Sequence, residues 1–177
     1  VENHWAKQLI ENLYREGIVK GVSETTFEPN KYVSRAKFAT MVARIIGEKQ
    51  MPIYEVFQDV KKDDWFYNAV YTVLKAEIIS ENTEFRANDL ITREETVKMI
   101  VLANKFLSDE YTQKMASIDA YNDTSEISQW AIPFVQEALS LGLITGTPEG
   151  NLDPKNNATR AETAAVISRL MELNKKQ

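Results

Sequence analysis

One seven-residue stretch occurs three times in this chain of 177 residues. It reads VSRAKFA at residues 33–39, ITREETV at 91–97 and ATRAETA at 158–164. Each copy places a Ser or Thr and then an Arg in front of apolar residues at helical spacing, which is the pattern of a helix start. A unit this small cannot bury its apolar face alone, so the chain is predicted to be a tandem repeat whose copies pack on one another.

The tryptophans support the repeat, because they precede the repeated arginine by 30, 28 and 30 residues. The predicted repeats are residues 1–50, which lack an opening extended piece expected upstream of Val1, residues 51–117 with a connecting helix, and residues 118–177. Together they are predicted to form one domain covering residues 1–177.

The apolar spacing predicts an all-α fold with very short strands. Thr92 with Glu95, and Thr159 with Glu162, predict reciprocal capping boxes, whereas Lys37 stands where the first copy would need an acid. Helices are predicted at residues 3–16 (capped by Asn3), 34–46, 63–76, 92–106, 108–115 (capped by Ser108), 130–141 and from 159, with extended pieces at 18–21 and 56–60.

Composition excludes several classes of function. A hydrophobic content of 44% and a charged content of 27% are ordinary for a soluble globular protein. The net charge of −5 argues against nucleic acid as a partner, and no apolar run predicts membrane insertion. The absence of cysteine excludes thiol catalysis and cysteine metal sites. Neither a metal nor a cofactor is assigned to this chain from its sequence.

The arginine at each helix start is the unusual residue. A cation there opposes the helix dipole at a cost of about 0.3–1 kcal/mol. One explanation is that Arg35, Arg93 and Arg160, with the free N–H groups beside them, hold an anion. The alternative is a surface arginine whose head pairs with a carboxylate. The recurrence in three copies favours a ligand, and the acids next to Arg93 predict that the middle copy contributes least.

Two further residue types have alternative interpretations. Gly21 and Gly146 would allow a ligand to approach the backbone closely, or they merely turn the chain. The three tryptophans could stack on sugar rings, but their apparent place on the inward helix stripe favours core packing. Catalysis by paired carboxylates is not favoured, because neighbouring acids point in different directions. The acidic pairs considered are Asp63 with Asp64, Glu94 with Glu95, and Asp59 with Asp123.

In their order along the chain, these motifs resemble the S-layer homology domains of bacterial surface proteins. The middle copy departs from the family pattern, with Ser80 in place of the second glycine and Ala87 in place of the proline. The segments that carry the resemblance are Phe57-Gln58-Asp59-Val60, His4-Trp5-Ala6, Gly17-Ile18-Val19-Lys20-Gly21, Gly142-Leu143-Ile144-Thr145-Gly146, Phe27-Glu28-Pro29 and Ala158-Thr159-Arg160-Ala161-Glu162.

The resemblance implies a pseudo-threefold unit with three prongs and a central bundle made of the first helix of each repeat. It also implies an extracellular, non-enzymatic module, monomeric by itself and part of a larger surface protein. Such a module anchors its parent to secondary cell wall polysaccharide, often through a pyruvate ketal on N-acetylmannosamine, in grooves between repeats. Peptidoglycan binding and self-assembly of a surface-layer scaffold stay open as alternatives. The resemblance implies that the repeated arginines bind the ligand. The full set of candidate ligand-binding residues is Arg35, Arg93, Arg160, Gly21, Gly146, Ser80, Trp5, Trp65 and Trp130.

Overall fold

The fold is helical and contains no sheet in the residues that the structure describes. A computed structural model describes residues 1–23 and 26–175. The extended piece at 18–21, which we expected to be a brief strand, is not a strand, because only isolated bridges between the repeats form within this part of the chain. The helices are α1 (Lys7–Arg15), α2 (Arg35–Ile46), α3 (Tyr67–Lys75), α4 (Arg93–Leu107), α5 (Ile132–Ser140) and α6 (Arg160–Asn174), with a short 3₁₀ turn at Thr124–Glu126.

The second helix of each repeat begins where its hydroxyl residue predicts. Ser34 accepts a hydrogen bond from the backbone of Lys37, at the start of α2. The reciprocal capping boxes of Thr92 in α4 and Thr159 in α6 are confirmed, with glutamate as the returning partner in both. Local sequence therefore fixes the three starts on which the repeat is built.

The first helix of each repeat begins later than predicted. Asn3 does not cap α1, because it adopts a left-handed backbone with φ 63°. Instead the Ala6 N–H donates to Nδ1 of His4 over 3.1 Å, and the helix begins at Lys7. Trp5, like its two counterparts, therefore lies in a turn before the helix rather than on the helix face.

The helix predicted at residues 108–115 is wrong. Ser108 is the C-cap residue of α4, and the segment after it crosses α5 without helical structure. The Tyr111 hydroxyl donates to the buried carboxylate of Glu137, and the Ala116 N–H donates to the Gln136 carbonyl over 3.0 Å. The contact of Ala116 with α5 satisfies a backbone N–H that a helix would have bonded internally.

Three backbone hydrogen bonds close a ring around the pseudo-threefold axis. The Val33 N–H donates to the Ala158 carbonyl (3.0 Å), the Ala158 N–H to the Ile91 carbonyl (2.9 Å), and the Ile91 N–H to the Val33 carbonyl (2.9 Å). Each of these residues is buried and directly precedes a helix cap. The ring joins all three repeats, so it exists only when all of them are present.

The central bundle is made of the second helices. Helices α2, α4 and α6 contact one another, whereas α3 packs on α2, α5 on α4 and α1 on α6. The expectation that the first helices make the central bundle is therefore wrong. The second helices bury small and apolar residues on several sides, including Ala39, Ala103 and Ala164, and small residues allow close helix approach. Within α1, by contrast, only Ile10 and Leu13 are buried.

Glu77 occupies a backbone position that suits glycine. After α1 and α5 the corresponding residues are Gly17 (φ 72°) and Gly142 (φ 68°), and Glu77 has φ 57°. A left-handed backbone costs a residue with a Cβ about 1–2 kcal/mol. Replacement by glycine removes this cost, but part of the gain is lost because glycine increases the conformational entropy of the unfolded chain. We expect Glu77→Gly to raise the free energy of unfolding in urea by up to about 1 kcal/mol. A lower value for this variant would show that Glu77 has a stabilising role.

Candidate functional site

Six of the nine residues predicted to bind a ligand line two grooves between the repeats. In both grooves the arginine comes from one repeat, the turn and the glutamate from the next, and the tryptophan from the third. The Arg35 groove, of about 370 Å³, is lined by Arg35, Ser80, Glu95 and Trp130 among others. The Arg93 groove, of about 210 Å³, is lined by Arg93, Gly146, Glu162 and Trp5 among others.

The pseudo-threefold relation defines a third set of equivalent residues. It comprises Arg160, Gly21, Lys37 and Trp65, and of these Gly21 alone lines one of the cavities found among the described residues, beside Ile10 and Phe27. Lys37 takes the helix position that Glu95 and Glu162 hold in the two grooves described above.

The tryptophans are exposed, so the interpretation as core residues is wrong. Trp5 is 67% exposed, Trp65 63% and Trp130 45%. Each tryptophan lies in the turn before its helix, so it is not part of the buried face of that helix. An exposed indole beside a groove offers a flat apolar face on which a sugar ring can stack.

Two of the three guanidinium groups are paired with glutamate from the next repeat. Arg35 donates from Nε to the Phe85 carbonyl (2.9 Å), and its Nη1 lies 3.0 Å from Glu95. Arg93 donates from Nε to the Leu152 carbonyl (2.9 Å), and its Nη1 lies 2.7 Å from Glu162. For these two arginines the carboxylate-pair alternative therefore describes the structure.

The acids beside Arg93 in sequence pair with other residues. Glu95 forms ion pairs with both Arg35 and Arg86. Burial by itself would raise the pKa of Glu95, but the Thr92 N–H and the two guanidinium charges outweigh it and lower that pKa. Glu94 lies 2.7 Å from Nζ of Lys155. The ion-pair partner of Arg93 is thus Glu162 of the third repeat, whereas Arg35 shares Glu95 with Arg86.

The helix N–H groups expected to assist anion binding are already bonded. The N–H groups of Arg35 and Ala36 donate to turn carbonyls of the second repeat over 2.9 and 3.0 Å. The backbone of Arg93 donates to the third repeat and that of Arg160 to the first, each over 2.9 Å. Neighbouring carbonyls therefore offset the dipole, and a bound anion would depend on side chains.

The glycines are explained at least partly by packing. A Cβ on Gly146 would clash with the Tyr121 ring, and a Cβ on Gly21 would clash with the Ser23 carbonyl. Gly21 and Gly146 each lie four residues after the left-handed residue that ends the preceding helix. In the second repeat, the residue four positions after Glu77 is Glu81, so Glu81 rather than Ser80 replaces the second glycine of the family pattern. Ser80 nevertheless lines the Arg35 groove.

Sequence reasoning missed two basic residues of the Arg35 groove, Arg86 and Lys98. Nζ of Lys98 lies 5.6 Å from the ring centroid of Trp130. Aligning the repeats would have identified Arg86, because Glu28 and Asp153 occupy the same left-handed turn position in the other copies. A basic residue there distinguishes the middle repeat.

The paired acids considered for catalysis have structural contacts. Asp59 accepts backbone hydrogen bonds from Phe85 (2.7 Å) and Ala87 (3.0 Å), and Asp123 does the same for Leu152 (2.9 Å) in the third repeat. Each therefore closes a turn. In residues 1–23 and 26–175, no three histidine or acidic side chains are grouped so that they could hold a metal ion.

The family assignment follows from comparison with known sequences. The profile of the S-layer homology domain matches residues 1–39, 56–97 and 120–164, one segment in each repeat. The chain belongs to the S-layer homology family. The match includes all three repeated arginines and tryptophans, so the motif order described above is that of this family.

Similar proteins contain the S-layer homology region as a small part of their length. The chain is 39% identical over 173 residues to an amylopullulanase of Thermoanaerobacterium thermosulfurigenes, covering 97% of this chain and 9% of that protein. It is 39% identical to the exoglucanase XynX of Acetivibrio thermocellus, with 97% and 16% covered. It is 30% identical to a surface-layer 125 kDa protein of Lysinibacillus sphaericus, with 95% and 14% covered.

Proteins named as enzymes and a protein named for the surface layer thus match nearly the whole S-layer homology chain, which spans less than a fifth of each. The shared stretch is therefore not what distinguishes their activities. Among the described helices, none combines the length and apolar character needed to cross a membrane.

Proposed function

We propose that this S-layer homology domain anchors its parent protein to the bacterial cell wall without a covalent bond. The ligand is a secondary wall polysaccharide that carries an acidic group, and a pyruvate ketal on an amino sugar has the required chemistry. The domain acts outside the cell, at the wall or surface layer, and performs no catalysis itself.

The observation that carries this proposal is the pairing of an exposed tryptophan with an arginine in two grooves. Trp130 and Arg35 line one groove, and Trp5 and Arg93 line another. An indole face suits the apolar face of a sugar ring, while a guanidinium suits a carboxylate on that sugar. Since the partners come from different repeats, binding depends on the assembled domain.

Sedimentation with purified cell walls tests the proposal. We expect the protein to pellet with intact walls and to remain in the supernatant after the wall carbohydrate is removed chemically. Unchanged pelleting on the stripped walls would instead indicate peptidoglycan binding. Pelleting in the absence of walls would indicate self-assembly. Both of these results would contradict the proposal that the domain binds the wall polysaccharide.

The tryptophans provide a second test with a matched control. We expect Trp5→Ala and Trp130→Ala each to weaken wall binding several-fold, because each removes a stacking surface. Phe106→Ala removes another exposed aromatic ring, 52% accessible, that lines neither groove. Equal losses for the control and the tryptophan variants would contradict a role of the grooves.

A further inference from the structure

A second cavity adjoins the Arg93 groove, since Arg93 and Glu162 line both. Its volume is about 390 Å³. Most of its remaining lining comes from Tyr32 of the first repeat and from the turn at residues 153–157 of the third. We call it the Tyr32 cavity, and all three repeats contribute to it.

Several side chains of the Tyr32 cavity are available to a ligand. In the part of the chain that the structure describes, four of them make no hydrogen bond or ion pair with the protein. A hydroxyl, a carboxylate and two amides together offer both donors and acceptors, which is what the hydroxyl groups of a sugar require. The four side chains are those of Tyr32, Asp153, Asn156 and Asn157.

The Tyr32 cavity carries an unpaired negative charge. Nη1 of Arg93 lies 2.7 Å from Glu162, and Nζ of Lys155 lies 2.7 Å from Glu94. These two cations are therefore already compensated, whereas the carboxylate of Asp153 is not. A further carboxylate would be repelled here, but an uncharged group that donates hydrogen bonds would be favoured.

The turn that holds Asp153 differs from its counterparts in the other repeats. In those two turns, the residues at the corresponding positions form an ion pair with each other across three positions. In the third repeat these positions hold Asp153 and Asn156, so the acid has no cation beside it. The ion pairs of the other turns are Lys31 with Glu28 (3.0 Å) and Arg86 with Asp89 (3.7 Å).

Tyr32 also distinguishes this cavity. It lies three residues before the repeated arginine, where the other repeats have Leu90 and Asn157. Its side chain is 53% exposed, and Leu90 is 44% exposed. An exposed phenol ring offers a flat apolar face for a sugar ring, with a hydroxyl at its edge that can donate or accept a hydrogen bond.

We propose that the Tyr32 cavity is a further sugar subsite, which binds an uncharged unit of the wall polysaccharide. The ring of Tyr32 packs on the apolar face of that unit, and Asp153 accepts hydrogen bonds from its hydroxyl or amide groups. Because Arg93 and Glu162 line both cavities, one polysaccharide chain can occupy the Arg93 groove and this subsite together. The inference rests on the proposed function, which it extends by a neighbouring unit of the same ligand.

Fragments of different length test the subsite. The probes are purified secondary wall polysaccharide cut into fragments of several sugar units, and its acidic unit alone, with affinity measured by calorimetry. We expect Tyr32→Ala to bind the longer fragments about three- to tenfold more weakly and to bind the acidic unit as the wild type does. Leu90→Ala is the matched control, since it removes an exposed apolar side chain at the equivalent position, outside the cavity, and should change neither affinity.

Asp153→Asn tests the charge of the subsite without disturbing the turn. Asp153 has φ 50°, a left-handed backbone that asparagine tolerates, so the melting temperature should not fall. We expect a loss of about two- to fivefold with the longer fragments, because a charged acceptor is replaced by a neutral one. A gain in affinity would show that an acidic unit lies beside Asp153, and would overturn the assignment of an uncharged one.

The outcomes distinguish this inference from the proposed function. A wild-type protein that binds none of the fragments contradicts the proposed function itself. If the wild type binds but Tyr32→Ala behaves as Leu90→Ala does, the anchor stands and the subsite is wrong. Equal losses for the longer fragments and for the acidic unit would show that Tyr32 acts through the Arg93 groove, and would overturn a separate subsite.

Discussion

A fragment that ends at residue 117 is expected to lose cooperative folding altogether. It lacks α6, which packs against α1, α2 and α4. It also loses two of the three hydrogen bonds of the central ring, because both involve Ala158. Apolar residues that Ile167 and Leu170 cover in the complete chain become exposed. The remaining helices then have too little buried surface to offset their conformational entropy.

The thermal transition and the amide proton spectrum of the fragment measure this effect. We expect a broad, non-cooperative transition and poorly dispersed amide resonances. Adding residues 118–177 as a separate chain should restore part of the dispersion, which serves as the control for damage to the fragment. A sharp transition for residues 1–117 alone would show that the repeats do not depend on one another for folding.

The second large effect is expected for Asp59→Ala, which removes the acceptor of two backbone N–H groups in the second repeat. The Phe85 and Ala87 N–H groups donate to this carboxylate over 2.7 and 3.0 Å. Hydrogen bonds to a charged group contribute about 1.5–3 kcal/mol, so we expect a loss of that size in the free energy of unfolding. The same turn holds Arg86 and supplies the carbonyl to which Arg35 donates, so the Arg35 groove should be disturbed as well.

This loss should depend on pH in a defined direction. Burial opposes ionisation of Asp59, but the N–H groups of Ala87 and Phe85 outweigh it and lower its pKa below the ordinary value of 3.8. The stabilisation is therefore fully present above the unfolded pKa and is lost as the pH falls through the lower folded pKa.

Urea denaturation at several pH values between about 3 and 7 measures the difference between the wild type and Asp59→Ala. We expect the difference to be constant near neutrality and to shrink below about pH 4. Asp63→Asn is the control, since Asp63 is an exposed acid of the same repeat. A difference that grows on acidification would contradict the role of the ionised carboxylate.

The amino-acid sequence by itself determined the features that depend on near neighbours. The repeated hydroxyl residue set each second helix start, and the glutamate three residues later completed the caps of α4 and α6. The order of the motifs indicated the family, and Lys37 was already visible as the exception to the pattern. These signals are local because a cap or a helix face involves only residues a few positions apart.

The tertiary structure decided which groups meet across the repeats. Arg35 is paired with an acid 60 positions away, and Arg160 donates to a carbonyl 133 positions away. The same long-range contacts placed the second helices at the centre, left the tryptophans exposed and occupied the helix N–H groups that had seemed free. A local pattern reports what a segment can form, but the partner of a charge is fixed only when distant segments come together.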